Sequence, residues 1–266
     1  MRYRERGRWS MKDGFRQNVL GILMLFAVTA VFFHGGGRIE SGKNGFSAQD
    51  RAVFQVSRQN TESLQTREAK KARVIILDAG HGGPDPGKIG AEGQLEKDIN
   101  LEIVYRIKGY LEANDVTVAL TRQKDEGLHS AGDKNKKTAD MRKRIEIING
   151  TAPEAMVSIH QNSYHGPEIS GPQVFYYQNS EEGKEFARLM QKRFDYVLGA
   201  GNRRQAKANG NYYLLTHSRP VSIIVETGFL SNPEEARKLE TEEYQDRVAW
   251  TVAMGILQYM NQKETM

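Results

Sequence analysis

Val74-Ile75-Ile76-Leu77-Asp78-Ala79-Gly80-His81-Gly82-Gly83 decides the fold class. The apolar run Val74 to Leu77 reads as a strand, the glycines mark a turn, and a helical pattern follows from about Glu96 to Asn114. Within that helix Ile99, Ile103, Ile107 and Leu111 recur every four residues, so one face is apolar and should pack on a sheet. Strand-like and helix-like stretches then alternate. Strands are predicted at Val116 to Leu120, Met156 to Ile159, Gln173 to Tyr177 and Ser222 to Glu226. Helices are predicted at Asp140 to Ile148, Glu181 to Leu198, Pro233 to Leu239 and Thr241 to Met260. This is the pattern of one layered α/β domain.

Working outward, the chain of 266 residues with 38% hydrophobic content has enough apolar surface for a proper core. Its formal charge of +5 is concentrated at one end, because Arg2, Arg4, Arg6, Arg8, Lys12 and Arg16 against Glu5 and Asp13 supply +4 of it. The remainder is nearly neutral, which argues against a nucleic-acid surface. The uncharged run Val19 to Phe33 resembles a secretory signal or short signal anchor, and implies export. Fifteen helical residues span only ~22 Å against a hydrocarbon core of ~30 Å, so length alone does not separate cleavage from anchoring. Val28-Thr29-Ala30 is a poor cleavage site followed by more apolar residues, which favours an uncleaved anchor. The expected organisation is a basic tip and anchor over 1–37, a polar linker over 38–72, and a catalytic domain over 73–262.

Three segments end a predicted strand with an ionisable residue: Asp78 to Gly83, Ser158-Ile159-His160-Gln161-Asn162, and Val225-Glu226-Thr227-Gly228. Ligands of open α/β sheets collect beyond the carboxyl ends of strands, so His81, His160 and Glu226 can meet although far apart in sequence. Glu96, opening the first helix, lies near the same edge. With no cysteine in the chain, any metal must use imidazole, carboxylate or water. Two imidazoles and a carboxylate suit catalytic zinc, with a further carboxylate as general base. Read alone, these dispersed residues fit either a metal site or hydrogen-bonded structural histidines.

Ile75 to Gly83, Leu95-Glu96-Lys97-Asp98-Ile99-Asn100-Leu101, Ser158 to Asn162 and Val225-Glu226-Thr227-Gly228-Phe229-Leu230-Ser231-Asn232 together resemble, in order, the four signature segments of the zinc-dependent N-acetylmuramoyl-L-alanine amidases. The resemblance covers about Arg73 to Met260. It implies a three-layer α/β domain with a mixed, mostly parallel sheet between helices. It also implies zinc held by His81, Glu96 and His160, Glu226 as the catalytic carboxylate, and peptidoglycan as substrate. Within the family, the short anchor, the single domain and Val174 to Gly183 are most similar to the sporulation and germination amidases that strip peptides from spore cortex. A general wall amidase for cell separation, a hydrolase acting within the stem peptide, and a non-catalytic wall-binding descendant are the alternative readings. The location implied is extracytoplasmic and membrane-tethered, with room for an accessory protein.

Other residues invite a structural reading. His34, His129, His165 and His217 are expected to be surface or structural, and Arg122 and Arg144 to be ion-paired. Lys134 to Lys137 fall in a long predicted connection and read as a solvated loop. Tyr176 and Tyr177 alternate, so at most one should face the cleft. Only ten residues separate Asn162 from the strand at Gln173, and they include Gly166, Pro167, Gly171 and Pro172. No helix able to plug the site is expected there.

Overall fold

Six strands in the order β2-β1-β3-β6-β4-β5 form the centre of the domain in the computed structural model, which describes residues 73–199 and 202–264. They are β1 (Val74–Ala79), β2 (Thr117–Leu120), β3 (Ala155–Asn162), β4 (Gln173–Tyr177), β5 (Lys207–Asn209) and β6 (Val221–Phe229). β2, β1, β3 and β6 are mutually parallel; β4 pairs antiparallel with β6, and β5 parallel with β4. The sheet is therefore mixed and mostly parallel. The helices are α1 (Glu96–Glu112), α2 (Lys136–Thr151), α3 (Glu181–Leu198), α4 (Tyr213–His217), α5 (Pro233–Leu239) and α6 (Glu242–Glu264).

Strand alternation assigns each side chain to a layer. Ile75 and Leu77 of β1, Val157 and Ile159 of β3, and Ile223 and Val225 of β6 enter the main core. There they meet Ile103, Ile107 and Leu111 of α1, Phe186 and Met190 of α3, and Val252 and Ile256 of α6. The apolar stripe read along α1 is this contact. Each of those fully buried aliphatic side chains stabilises the fold by roughly 1.5–3 kcal/mol relative to exposure. The intervening residues face the other way. Ile76 and Met156 pack beneath Ile148 of α2 and Leu214 of α4, and Phe175 and Ile224 pack with Leu215. This second layer is thinner, and the even-numbered residues at the strand ends, Asp78, His160 and Glu226, open onto it.

Several element boundaries differ from the sequence expectation. α2 begins at Lys136 rather than Asp140, because the Asn135 side chain accepts from the Thr138 amide and caps the helix. Lys136 and Lys137 are thus helical and not loop. β5 and α4 are three and five residues long and had no usable period. The apolar run at Val19 to Phe33 and the linker at 38–72 lie outside the described residues. Among the described residues no helix is long and apolar enough to cross a membrane.

Candidate metal centre

The parallel strands β1, β3 and β6 end at one edge of the sheet, and α1 starts beside it. In the β3–β6 pairing His160 sits opposite Glu226 and Asn162 opposite Phe229, so a bulge falls between them on β6. Bulges of this kind re-aim side chains next to sites. At the end of β1 the chain turns through His81, whose φ of 63° is unusual for a residue with a side chain. The turn is held from outside: Arg144 donates from Nη2 to the His81 carbonyl at 2.6 Å, and Gly82 and Asp85 exchange backbone hydrogen bonds. Gly80 is required for a steric reason, since a Cβ there would lie 2.2 Å from the His160 ring.

These constraints bring His81, Glu96 and His160 together, with one ligand atom from each lying within 4.8 Å of the others. Glu96 Oε1 is 3.2 Å from His81 Nε2 and 2.9 Å from His160 Nδ1. Ligands ~2.0–2.1 Å from a tetrahedral ion stand ~3.3 Å apart, so the spacing fits a metal. The group is also oriented from outside. His81 Nδ1 lies 2.9 Å from Asp85 Oδ2, which favours the tautomer whose Nε2 lone pair faces Glu96. Glu96 Oε2 accepts from the Lys88 amide at 2.7 Å, and Oε1 from the Gln161 amide at 3.1 Å. Burial disfavours the charged ring of His160, but the Glu96 carboxylate prevails and raises it to about 9. A cation would take the place of that proton.

Glu226 is almost fully buried in the same cleft, and its Oε2 is without a hydrogen-bond partner. Burial pushes its carboxyl up to about 7; His160 opposes the shift and Glu96 adds to it. A buried, unpartnered oxygen of this kind is rare in a folded protein, and a catalytic role is one of its few explanations. The cleft holds about 660 Å³, and its lining includes Tyr212, Leu214, His129, Lys136 and Lys137.

Beneath the cleft, Asp78 is fully buried and paired with Arg144 at 2.5 Å, and it accepts from Thr121 and Ser158. Arg144 is ion-paired as expected. Arg122 has no ion pair among the described residues and instead donates to the carbonyls of Ala79, Gly80, Lys97 and Lys124. Of the four dismissed histidines, His34 lies outside the described residues and His165 packs beside Tyr164. His217 stacks on Tyr213, and His129 lines the cleft. Neither Tyr176 nor Tyr177 reaches the cleft; they flank the main core and the Phe175 cluster respectively. Asp85 had no periodic or motif signal, lying between two prolines in an irregular turn.

The family model described as N-acetylmuramoyl-L-alanine amidase matches residues 75–258. The chain belongs to this family. It is 38% identical over 194 residues to the germination-specific N-acetylmuramoyl-L-alanine amidase of Bacillus subtilis strain 168, covering 72% of this chain and 81% of that protein. The structure of the CwlD amidase from Clostridioides difficile, in complex with the GerS lipoprotein, superposes with a TM-score of 0.69 at 34% identity, covering 71% and 98% of the two chains. The catalytic domain of the amidase CwlV from Bacillus (Paenibacillus) polymyxa var. colistinus gives 0.62 at 28% identity, covering 71% and 98%. This N-acetylmuramoyl-L-alanine amidase therefore hydrolyses the amide joining N-acetylmuramic acid to L-alanine in peptidoglycan. The comparisons match the six-stranded α/β architecture, and the amidase's His81, Glu96 and His160 form a group able to hold a metal.

Proposed function

We propose that His81, Glu96 and His160 hold zinc and that Glu226 is the general base and acid of the hydrolysis. The observation that carries this is the convergence of three ligand atoms within 4.8 Å beside a buried carboxylate with an unpartnered oxygen. Zinc bound there supplies Lewis-acid polarisation of the scissile carbonyl and lowers the pKa of water. Glu226 Oε2 accepts the proton of the attacking water and delivers it to the departing nitrogen. A carboxyl held near 7 by burial can do both at neutral pH. The products are a lactyl carboxylate on the glycan and a peptide with a free amine. Asp85 and the Lys88 and Gln161 amides keep the ligands aimed without touching substrate.

The same proposal extends to the setting of the enzyme. The germination-specific relative supports a role in spore-cortex maturation, and the lipoprotein in the CwlD structure supports an accessory partner. Residues 1–37 tether the domain to a membrane on its outer face, 38–72 serve as linker, and 73–262 are the catalytic unit. The test is Glu226→Gln, which keeps the shape of the side chain and removes the base. Stoichiometric zinc with turnover lowered by at least about a hundredfold is expected, in line with the ordinary contribution of a general base. Near-normal turnover on purified peptidoglycan would remove Glu226 from the mechanism.

A further inference from the structure

Three buried polar side chains lie directly behind the proposed centre. Thr227 Oγ1 donates to Gln161 Oε1 at 2.7 Å, and Gln161 Nε2 donates to Asn100 Oδ1 at 3.1 Å. Asn100 Nδ2 then donates to the Gly80 carbonyl at 3.1 Å and approaches Glu96 Oε1 at 3.5 Å. Thr227 and Asn100 are completely buried, and Gln161 and Glu96 nearly so. No water is needed to complete the row.

The row has a fixed direction. Its far end faces two acceptors, a carbonyl and a carboxylate, so Asn100 must present its N–H group there and its oxygen to Gln161. Gln161 must then present N–H to Asn100 and its own oxygen to Thr227. Only a hydroxyl donor at position 227 satisfies that oxygen; a methyl group leaves it buried and unpaired. Turning Asn100 over would set its oxygen against the Gly80 carbonyl and the Glu96 carboxylate, and turning Gln161 over would set its oxygen against Asn100 Oδ1. The orientation of both amides is thus set between the Thr227 hydroxyl and the Glu96 carboxylate.

Each member is also next in the chain to a residue of the proposed site or one helical turn from it. Gly80 precedes His81, Asn100 is one helical turn after Glu96, Gln161 follows His160, and Thr227 follows Glu226. We infer that Thr227, Gln161 and Asn100 are positioning residues that lock the three metal ligands and the catalytic carboxylate into one register. Resting on the zinc reading given above, this assigns a function to the polar residues buried inside three of the sequence segments.

The test compares the full zinc-loaded chain with Thr227→Val, which keeps shape and removes the hydroxyl, and Thr227→Ser, which restores it. Zinc affinity is read by chelator competition, thermal midpoint on the metal-free protein, and kcat and KM on peptidoglycan. Thr227→Val is expected to weaken zinc affinity roughly ten- to a hundredfold, the range typical of lost outer contacts to a metal ligand. It should lower kcat with KM unchanged, and Thr227→Ser should recover both. A purely structural role would lower the metal-free midpoint while leaving zinc affinity at the wild-type value, and that result overturns the inference. Should Thr227→Val fail to fold, Gln161→Met interrupts the row at its centre with little change of volume, and is read the same way. Wild-type protein that binds no metal overturns the zinc reading itself; zinc-replete wild type with an indifferent Thr227→Val overturns only the positioning row.

Discussion

Asp78 shows how a single residue can matter to the site without touching substrate. It was legible only as the last polar letter of a strand, because nothing in a sequence states which cation will meet it. Burial alone would raise its carboxyl, but Arg144 and the hydroxyls of Ser158 and Thr121 outweigh that and hold it at about 2, against an ordinary 3.8. Arg144 in turn grips the Ala79 and His81 carbonyls, so the pair ties α2 to the strained turn that carries His81. A carboxyl lowered in the folded state stabilises the protein above its unfolded pKa and loses that contribution as pH falls through the folded one. The window here runs from about pH 4 down to about pH 2, and the contribution is about 2 kcal/mol. Urea unfolding across that window should show a stability decrement in the wild type that is smaller by about 2 kcal/mol in Asp78→Asn, where the other lowered carboxyls, Asp85, Glu96 and Asp125 among them, still titrate. The substituted protein should also be less stable at neutral pH by roughly 1.5–3 kcal/mol, because Arg144 loses one of its two carboxylate partners and keeps only Asp140, 2.7 Å from its Nε. Equal slopes in the two proteins would contradict the assignment.

Among the elements, α1 was readable almost to the residue because its four-residue apolar repeat and its packing on the sheet express the same fact. The start of α2 is not legible in the sequence because its first turn, Lys136-Lys137-Thr138-Ala139, carries no large apolar residue, and the Asn135 cap defines it. That first turn is unusual in another way. It contains no acidic residue and two lysines, whereas the helix dipole favours negative charge at this end by roughly 0.3–1 kcal/mol per group. Lys136 and Lys137 nevertheless line the cleft, where their positive charge would pair with carboxylates of an entering peptide. Replacing both by glutamate should therefore raise the thermal midpoint slightly while raising KM for peptidoglycan several-fold, with zinc content unchanged. Steady-state kinetics together with a melting curve check both halves, and an unaltered KM would remove the two lysines from substrate recognition.

For the whole molecule, the order of strands and helices was legible because hydrophobic periodicity survives in every long element. The convergence of His81, Glu96, His160 and Glu226 rested on the rule that strand ends gather ligands, and on the family resemblance. The supports behind them were not readable, since Asp85 sits in an irregular turn and the Thr227–Gln161–Asn100 row depends on register across two strands and a helix. The same architecture bears on control. Residues 163–172 contain no helix and are pinned away from the cleft: Tyr164 donates its amide to Ser231, Asn232 donates to the Pro167 carbonyl, and the Gly171 amide donates to Glu235. The other long connection, between β2 and α2, supplies His129 to the cleft wall, and a volume of about 660 Å³ remains beside the ligands. An opening of that size lies within the range of small-molecule sites, so none of the described residues has to be removed for substrate to enter. The intact chain, with its mass verified before and after the assay, should release stem peptides from purified peptidoglycan once zinc is present. Controlled proteolysis within 121–135 or 163–172 should not increase the rate, because the first segment supplies His129 to the cleft wall and the second is pinned away from the cleft. Turnover that begins only after such a cut would show that one of these segments blocks the site in the uncut enzyme.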